Sequence, residues 1–279
     1  MTQDTRTKTR GIARALWSLV KPDGFQSRRP THKNLRYRTE RYRGIKPHAD
    51  LYLPEGPGPY PSLILVHGGG YLIGSKSMKP MRFLATRAVA SGWAALSVDY
   101  RMIFRGGRFA EGLNDVSAAT NWWLENASHY GCDPQRIAML GVSAGAALML
   151  NHMEQSQRTE ITHLVSVYGV YDFTYLSGAG TRWLRKRAFR SMEPSIWAQA
   201  SPVGNCHTPR PLLVLHGESD TIVPVAHAHR LSAHRESEAL PTQVEIYPGA
   251  EHSFLNDAKH PATLSALNTM WAFLGADDA

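Results

Sequence analysis

The sequence Gly-Val-Ser-Ala-Gly at residues 141–145 constrains the fold of this chain more than any other stretch. An apolar run at 137–140 precedes it, and a helix-favouring run at 146–150 follows it. This order predicts a strand, a sharp turn and a helix, the setting of a nucleophile elbow. The glycines are expected because residues on either side of so tight a turn lie too close together for a Cβ. The turn would expose Ser143 Oγ and point the backbone N–H of Ala144 to the same side.

Short apolar runs alternate with helix-like segments along most of the chain. Buried strands are predicted at 62–66, 94–98, 164–168 and 212–215, with a further strand at 244–247. Continuous apolar strands are typical of a sheet that is covered on both faces. Alternation with helices therefore predicts an α/β fold with a mostly parallel, doubly wound sheet. The predicted helices lie at 78–90, 115–129, 224–239 and in a last segment that ends at Leu274.

The segments before the first buried strand have weaker patterns. Residues 1–30 are interpreted as a basic N-terminal arm with one short amphipathic helix at 12–20, and residues 31–279 as the globular domain. Residues 35–39 and 49–53 alternate between apolar and polar side chains with period two. They are predicted as two antiparallel edge strands.

The net charge alone does not decide which class of binding partner the protein has. The chain has 31 basic and 23 acidic residues, a formal net charge of +8, with basic clusters at 28–43 and 182–190. Such a balance can indicate nucleic acid or an anionic membrane surface. No nucleic-acid-binding module is recognisable, so a solvated basic surface is favoured, with weak contact to an anionic membrane as the alternative.

Composition favours an ordinary cytoplasmic globular protein. Hydrophobic residues make up 43% and charged residues 19% of the chain, and no apolar run approaches the roughly 20 residues of a membrane span. The arm has no small-residue cleavage site of the kind that ends a secretory signal. Cys132 and Cys206 have neither framework nor metal-binding spacing. Both are expected to be reduced structural thiols.

Three residues suited to acyl transfer each follow a different predicted strand. Ser143 follows the strand at 137–140, Asp220 the strand at 212–215, and His252 the strand at 244–247. Parallel strands bring their carboxyl ends to one edge of the sheet, so the three side chains are expected to meet there. Serine needs a base to take its proton, and the base needs an acid to orient it.

The alternatives to this assignment are other acids and other histidines. Glu218 also lies beyond the strand at 212–215, so the pattern alone leaves it open against Asp220 as the acid. Asp99 and Asp115 are expected to fix loops or cap helices. Most of the 13 histidines have no motif, and three of them are predicted on the surface of a helix: His227, His229 and His234.

Six short motifs lie at characteristic positions in the chain. They are His-Gly-Gly-Gly-Tyr at 67–71 with Gly-Ser at 74–75, Asp-Tyr-Arg at 99–101, Asp-Pro-Gln-Arg-Ile at 133–137, Gly-Val-Ser-Ala-Gly at 141–145, His-Gly-Glu-Ser-Asp-x-x-Val-Pro at 216–224 and Gly-Ala-Glu-His-Ser-Phe at 249–254. Together they resemble the α/β-hydrolase fold family, in its hormone-sensitive-lipase-like carboxylesterase branch. The match runs from about residue 48 to 275. It departs from the family at 102–107, where Met-Ile-Phe-Arg-Gly-Gly replaces the usual Leu-Ala-Pro-Glu.

The resemblance favours Asp220 over Glu218 as the acid, by its position in the motif at 216–224, and it implies further parts of a site. Backbone N–H groups of Gly69, Gly70 and Ala144 would form the oxyanion hole, with His67 in a structural role. A small lid insertion is expected at about 173–205. No metal or organic cofactor is implied, and the expected partner is a small-molecule ester, with no nucleic acid.

Three functions remain open at this point. The first is a serine carboxylesterase; the second is an amidase, arylformamidase or small serine peptidase with the same machinery; the third is a non-catalytic binding protein on the same fold. The insertion's best helix, at 182–190, is rich in arginine and has few apolar residues. It is not expected to line a long acyl groove, so short acyl chains are predicted.

Overall fold

The computed structural model of the chain describes residues 3–21, 23–38, 47–156, 158–176 and 179–275. A central sheet runs through these residues. Its strands are β1 (His32–Leu35), β2 (Ala49–Tyr52), β3 (Tyr60–Val66), β4 (Ala94–Val98), β5 (Cys132–Val142), β6 (Ile161–Val167), β7 (Leu212–Gly217) and β8 (Thr242–Tyr247). The helices around it are α1 (Gln3–Val20), α2 (Lys79–Ala90), α3 (Phe109–Asn126), α4 (Ala144–Ser156), α5 (Ala179–Phe189), α6 (Pro194–Ala200), α7 (Ala226–Ser237) and α8 (Pro261–Leu274).

The strands lie in the order β1-β2-β4-β3-β5-β6-β7-β8. β2 is antiparallel to both of its neighbours, and every pairing from β4 to β8 is parallel. The prediction of a mostly parallel, doubly wound sheet is confirmed. The carboxyl ends of β3, β5, β7 and β8 therefore share one edge of the sheet, with β8 at its lateral border.

The core has two parts, one on each face of the sheet. Side chains of β3 alternate between them: Ile64 and Val66 join one cluster, Leu63 and Leu65 the other, and all four are fully buried. Burial on both faces is why this strand has a continuous apolar sequence. The covered sheet holds the strand ends in fixed positions.

Two predicted elements have different bounds in the structure. The helix expected at 12–20 is longer, since α1 begins at Gln3. The helix expected from 115 begins at Phe109, before Gly112, because the glycine masked its helical pattern. A Cβ on Gly112 would lie 3.2 Å from the carbonyl oxygen of Arg101, so close packing accounts for that glycine.

The edge strand predicted at 35–39 is wrong for residues 36–38. The strand lies earlier, at His32–Leu35. Tyr37 instead packs in the core, and its hydroxyl donates to the carbonyl of Asp99 at 2.5 Å. Residue 39 lies outside the described residues. The period-two alternation that suggested a strand therefore reflects one buried tyrosine between two arginines.

Between β6 and β7 the chain forms α5 and α6. The basic side chains of α5 are not all solvated: Arg185 donates to the Phe173 carbonyl at 3.0 Å, and its guanidinium lies 4.0 Å from the ring centroid of Trp197. This arginine holds α5 against α6. None of the helices in the described ranges has the length and apolar character needed to cross a membrane.

Candidate active site

Ser143 lies at the turn between β5 and α4. Its φ of +53° is in the left-handed region, and its backbone N–H donates to the Val167 carbonyl at 2.9 Å. A Cβ on Gly141 would lie 2.5 Å from Ala146 Cα, and one on Gly145 would lie 2.3 Å from the carbonyl oxygen of Val66. Both glycines are therefore required by close backbone approach. Strained backbone of this kind is common at functional sites.

His252 lies beyond the carboxyl end of β8, next to Ser143. Its Nε2 is 3.1 Å from Ser143 Oγ, and its Nδ1 is 2.6 Å from Asp220 Oδ2. The two contacts are satisfied together when Nδ1–H donates to the carboxylate and Nε2 accepts from the serine hydroxyl. The ring of Tyr168 lies 4.7 Å from the imidazole, between centroids, and restricts its position.

Asp220 is buried beyond the end of β7. Its Oδ1 accepts the backbone N–H groups of Ile222 and Val223 at 2.9 and 2.8 Å. Burial by itself would raise the pKa of Asp220, but the nearby His252 and the hydrogen bonds from His216 and His252 outweigh it, so the pKa is lowered. Asp220 is therefore an ionised acceptor for the imidazole.

The alternative acid, Glu218, does not contact His252. It is exposed, and among the residues that the structure describes its Oε2 accepts only a long hydrogen bond of 3.4 Å, from the Gly249 N–H. Glu218 is exposed in the turn directly after β7, whereas Asp220, two residues later, is buried.

His216, the first residue of the motif at 216–224, is a neighbour of the acid. Its Nε2 is 2.9 Å from the Val223 carbonyl oxygen and 3.4 Å from Asp220 Oδ2. The imidazole is fully buried. It therefore fixes the turn that carries Asp220. The spacing of four residues in His-Gly-Glu-Ser-Asp was the only sequence signal for this contact.

The glycine loop after β3 passes directly beside Ser143. A Cβ on Gly68 would lie 3.0 Å from Ser143 Cβ. Gly69 and Gly70 have φ of +116° and +60°, and the Gly69 carbonyl accepts the N–H groups of the two residues at 72–73, at 3.1 Å each. Within the described part of the chain, the N–H groups of Gly69 and Gly70 have no acceptor. Ala144 begins α4, so its N–H has no acceptor within that helix.

Two contacts fix this glycine loop relative to its surroundings. The Tyr71 hydroxyl donates to the Ala144 carbonyl at 3.1 Å, and the Ile103 N–H donates to the Tyr71 carbonyl at 2.8 Å. Ile103 belongs to the 102–107 segment, whose sequence departs from the family pattern. That segment is thus a turn attached to the glycine loop. Arg101, just before it, is held by Asp115 through two hydrogen bonds of 2.8 and 2.9 Å.

One predicted surface histidine is buried instead. His227 lies inside the protein on α7, and its Nδ1 accepts the backbone N–H groups of Tyr171 and Asp172 at 3.3 and 3.2 Å. Burial, with a smaller effect of His216, lowers the pKa of His227 to about 4. His229 is exposed as expected, and His234 is half-buried. The helix pattern could not reveal that a loop from β6 covers His227.

The described residues contain no cluster of three or more histidine, cysteine or acidic side chains that could hold a metal ion. Cys132 and Cys206 are both buried and free. Burial raises the pKa of Cys132 to about 12 and also raises that of Cys206. Neither thiol is therefore a nucleophile at neutral pH.

The family model named BD-FAE matches residues 49–234, which include the glycine loop, the elbow and the candidate acid. The chain belongs to the BD-FAE family. It is 33% identical to esterase LipQ of Mycobacterium tuberculosis over 214 residues, covering 70% of this chain and 50% of that one. It is 31% identical to esterase LipC of the same organism over 235 residues, covering 75% and 57%. This BD-FAE chain thus spans about half the length of the curated relatives it matches.

A solved structure supports the same fold. Esterase 2 of Thermogutta terrifontis, phosphonylated by sarin, superposes with a TM-score of 0.74 at 19% identity, covering 88% of this chain and 95% of that one. At this identity the likeness concerns the fold alone. The α/β-hydrolase architecture expected from the six motifs is confirmed for this BD-FAE chain.

Proposed function

We propose that the chain is a serine carboxylesterase that hydrolyses esters of short acyl chains. The observation that carries the proposal is the continuous hydrogen-bonded chain from Ser143 Oγ through His252 to Asp220, with distances of 3.1 and 2.6 Å. Nucleophile, base and orienting acid are what acyl transfer by serine requires. The names of the relatives LipQ and LipC, both esterases, support the same activity.

The proposed reaction starts with attack of Ser143 Oγ on the ester carbonyl. His252 Nε2 accepts the hydroxyl proton, and the Asp220 carboxylate stabilises the resulting imidazolium. Negative charge on the carbonyl oxygen is stabilised by the N–H groups of Gly69, Gly70 and Ala144. The C–O bond to the alcohol breaks as His252 returns the proton to the leaving oxygen. Water then repeats the sequence on the acyl-enzyme and releases the acid.

Short acyl chains are favoured by what lies behind the glycine loop. Tyr71, which contacts Ala144, packs against Phe109 with ring centroids 5.7 Å apart. Phe109 packs in turn on Phe173 and Phe189, at 5.6 and 4.9 Å. These four aromatic rings pack together beside Ala144, the residue after the candidate nucleophile. An acyl chain of about two to six carbons needs no groove beyond them.

The experiment that tests the nucleophile is labelling with a fluorophosphonate probe. The wild-type chain should be modified stoichiometrically at Ser143 and lose ester turnover. Ser143→Ala should be unlabelled, and its turnover should fall by roughly 10⁴- to 10⁶-fold with the fold intact. Ser219→Ala is the matched control, since Ser219 is an exposed serine in the turn that carries Asp220, and it should label and turn over normally. Near-wild-type activity in Ser143→Ala would refute the proposal.

The second candidate is an amidase, arylformamidase or small peptidase, because the same residues can cleave an amide. Matched p-nitrophenyl esters, anilides and N-formyl amides compare the two reactions directly. The proposal expects kcat/KM to be highest for the esters. A higher value for an amide would replace carboxylesterase by amidase. A chain that binds an ester without turnover and without labelling would be a binding protein on this fold.

A further inference from the structure

Helix α1 exposes a row of large apolar side chains. Ile12, Leu16 and Val20 follow at four-residue spacing and are 49, 47 and 71% exposed; Trp17, beside them, is 65% exposed. Residues at this spacing lie along one side of a helix. Single exposed apolar residues are ordinary on a protein surface, whereas a contiguous group marks an interaction site.

The apolar row is not what attaches α1 to the protein. The opposite side of the helix, with Gly11 and Ser18, makes that contact. A Cβ on Gly11 would lie 2.3 Å from Thr221 Oγ1, and the Asn256 side chain donates to Ser18 Oγ at 2.7 Å. Small residues thus allow close docking, and the large apolar ones face away from the body of the protein.

A second row on α1 is basic. Arg6, Arg10 and Arg14 also follow at four-residue spacing, and all three are exposed. Arg14 pairs with Glu251. At 100° per residue, Trp17 lies between Arg6 and Arg10 around the helix axis, so these three side chains share one outward arc beside the apolar row. The outward side of α1 is therefore apolar along one flank and cationic along the other.

We propose that the outward side of α1 docks on an anionic phospholipid bilayer. Trp17 and the apolar row would enter the boundary between headgroups and acyl chains, and the arginine row would contact headgroup phosphates. Basic residues beside tryptophan and aliphatic residues are the composition of helices that lie in a membrane interface. Charge complementarity favours this occupant over a second copy of the chain, because two copies would bring their arginine rows together.

The docked helix lies against the candidate active site. Gly11 contacts Thr221, the residue after Asp220, and Arg14 pairs with Glu251, the residue before His252. The membrane would thus lie about one helix diameter, roughly 10 Å, from the loops that carry the acid and the base. Esters dissolved in the bilayer would be supplied from that side. Binding itself does not depend on hydrolysis, so it is separable from the proposed function.

The test is flotation of the full chain with vesicles. Equal mixtures of phosphatidylglycerol and phosphatidylcholine should carry the protein, and pure phosphatidylcholine should carry at least tenfold less. Raising the salt concentration from about 0.1 to 1 M should weaken the binding, because the Debye length falls from about 10 to 3 Å. Tryptophan emission should shift to shorter wavelength with anionic vesicles, and Trp17→Phe should lose that shift.

Matched pairs of variants test whether the outward side of α1 is the surface that binds the vesicles. Arg10→Glu should lower the partition coefficient by roughly 5- to 25-fold, since it removes one positive charge and adds a negative one. Arg136→Glu is the control, because Arg136 is exposed near the amino end of β5, away from the edge that α1 borders. Ile12→Ser should lower partition by roughly tenfold. Ile196→Ser, an isoleucine of similar exposure (40%) on α6, should not.

All four substitutions lie on exposed side chains, and circular dichroism checks that the fold is kept. Equal binding to neutral and anionic vesicles would overturn the proposal, as would equal losses in the variants and their controls. A concentration-dependent dimer in sedimentation that Trp17→Ser dissociates would instead assign the outward side of α1 to a second copy of the chain, and would also overturn it.

Discussion

The imidazole of His67 lies flat against the ring of Tyr100, with 4.2 Å between centroids and 16° between ring planes. The Tyr100 hydroxyl adds a hydrogen bond of 2.9 Å to the His67 carbonyl. Burial lowers the pKa of His67, so the stacked ring is neutral at pH 7. A Cβ on Gly74 would lie 2.6 Å from His67 Nδ1. His67 is thus enclosed between Tyr100 and the end of the glycine loop, and it holds that loop in place.

Tyr100→Phe should therefore impair both stability and turnover. The ring stacking is kept, but the buried His67 carbonyl loses its partner, which costs about 1–3 kcal/mol of unfolding free energy. Displaced N–H donors lower kcat more than they raise KM, because they act on the transition state. Thermal unfolding and steady-state kinetics measure the two effects. A lower Tm with unchanged kcat would show that the hydrogen bond stabilises the fold without positioning the donors.

Asp220→Asn should lower kcat by roughly 10²- to 10⁴-fold, since an amide can impose the wrong tautomer on His252. Glu218→Gln is the matched control: it changes an exposed acid two residues away in the same turn and should leave kcat within about twofold. Both variants are assayed at saturating ester. Reversed phenotypes would reassign the orienting acid to Glu218.

Substitution by alanine should lower kcat much more at Gly69 than at the adjacent Gly70. A Cβ on Gly69 would lie 1.9 Å from the Ile73 carbonyl oxygen, so the loop must move, and kcat should fall by about 10²- to 10³-fold. Gly70 has open space around it and a φ of +60°, so Gly70→Ala costs only about 1–2 kcal/mol of backbone strain. Gly92→Ala, also at positive φ in open space but outside the site, is the control for strain alone. Similar rate losses at Gly69 and Gly70 would contradict this geometry.

Acid should destabilise the fold through His227. The pKa of His227 is about 4 in the folded chain, against an ordinary value of 6.5. Between these two pH values the unfolded chain therefore binds a proton that the folded chain does not bind. The unfolding free energy therefore falls as the pH drops from about 6.5 to about 4, by at most about 3 kcal/mol. His227→Asn keeps an acceptor for the N–H groups of Tyr171 and Asp172 and should reduce that dependence in urea unfolding. The part that remains comes from groups such as His152, whose pKa burial also lowers to about 4. His229→Asn, on the exposed side of the same helix, should leave it unchanged; equal slopes in all three proteins would exclude His227 as the source.

Acyl preference should change when Phe109 is removed. An open cavity of about 370 Å³ borders this ring and is lined also by Leu113, Asn151 and Ala200. In the wild-type chain kcat/KM should fall from p-nitrophenyl butyrate to octanoate and dodecanoate. Phe109→Ala should raise the ratio of octanoate to acetate by about tenfold, at about 0.8 kcal/mol for each methylene that enters the cavity. The ratio is independent of the fraction of protein that is folded.

Phe104→Ala is the control for that substitution, because Phe104 is a highly exposed aromatic side chain of the neighbouring turn. It should leave the ratio unchanged. A wild-type kcat/KM that rises steadily through dodecanoate would reveal a long acyl tunnel and remove the short-chain proposal.

Local motifs predicted the parts of this molecule that depend on a few neighbouring residues. The turn around Ser143 could be predicted because Gly141 and Gly145 are required by contacts within the turn and with the adjacent strand. The positions of Asp220 and His252 followed from their places after β7 and β8. The roles of these residues stay predictions until the variants are measured.

The remaining features depend on contacts between distant segments. His227 is buried because a loop following β6 covers it, and nothing in the α7 sequence shows that loop. The docking of α1 depends on Gly11 meeting Thr221, which lies 210 residues further along the chain. Arg185 belongs to the basic cluster at 182–190, for which the sequence favours a solvated surface. Its stacking on Trp197 depends on how α5 and α6 pack together.

Because β8 lies at the lateral border of the sheet, heating should displace the candidate base before it displaces the candidate nucleophile. β5 is paired on both sides by β3 and β6, while β8 pairs with β7 and is partly exposed along its length. Segments with fewer buried contacts open before the whole domain unfolds. His252 would then leave its position while Ser143 stays on an intact turn. Inactivation below the melting temperature would accordingly be reversible on cooling, because what is lost is a border strand and its loop, with the core still folded.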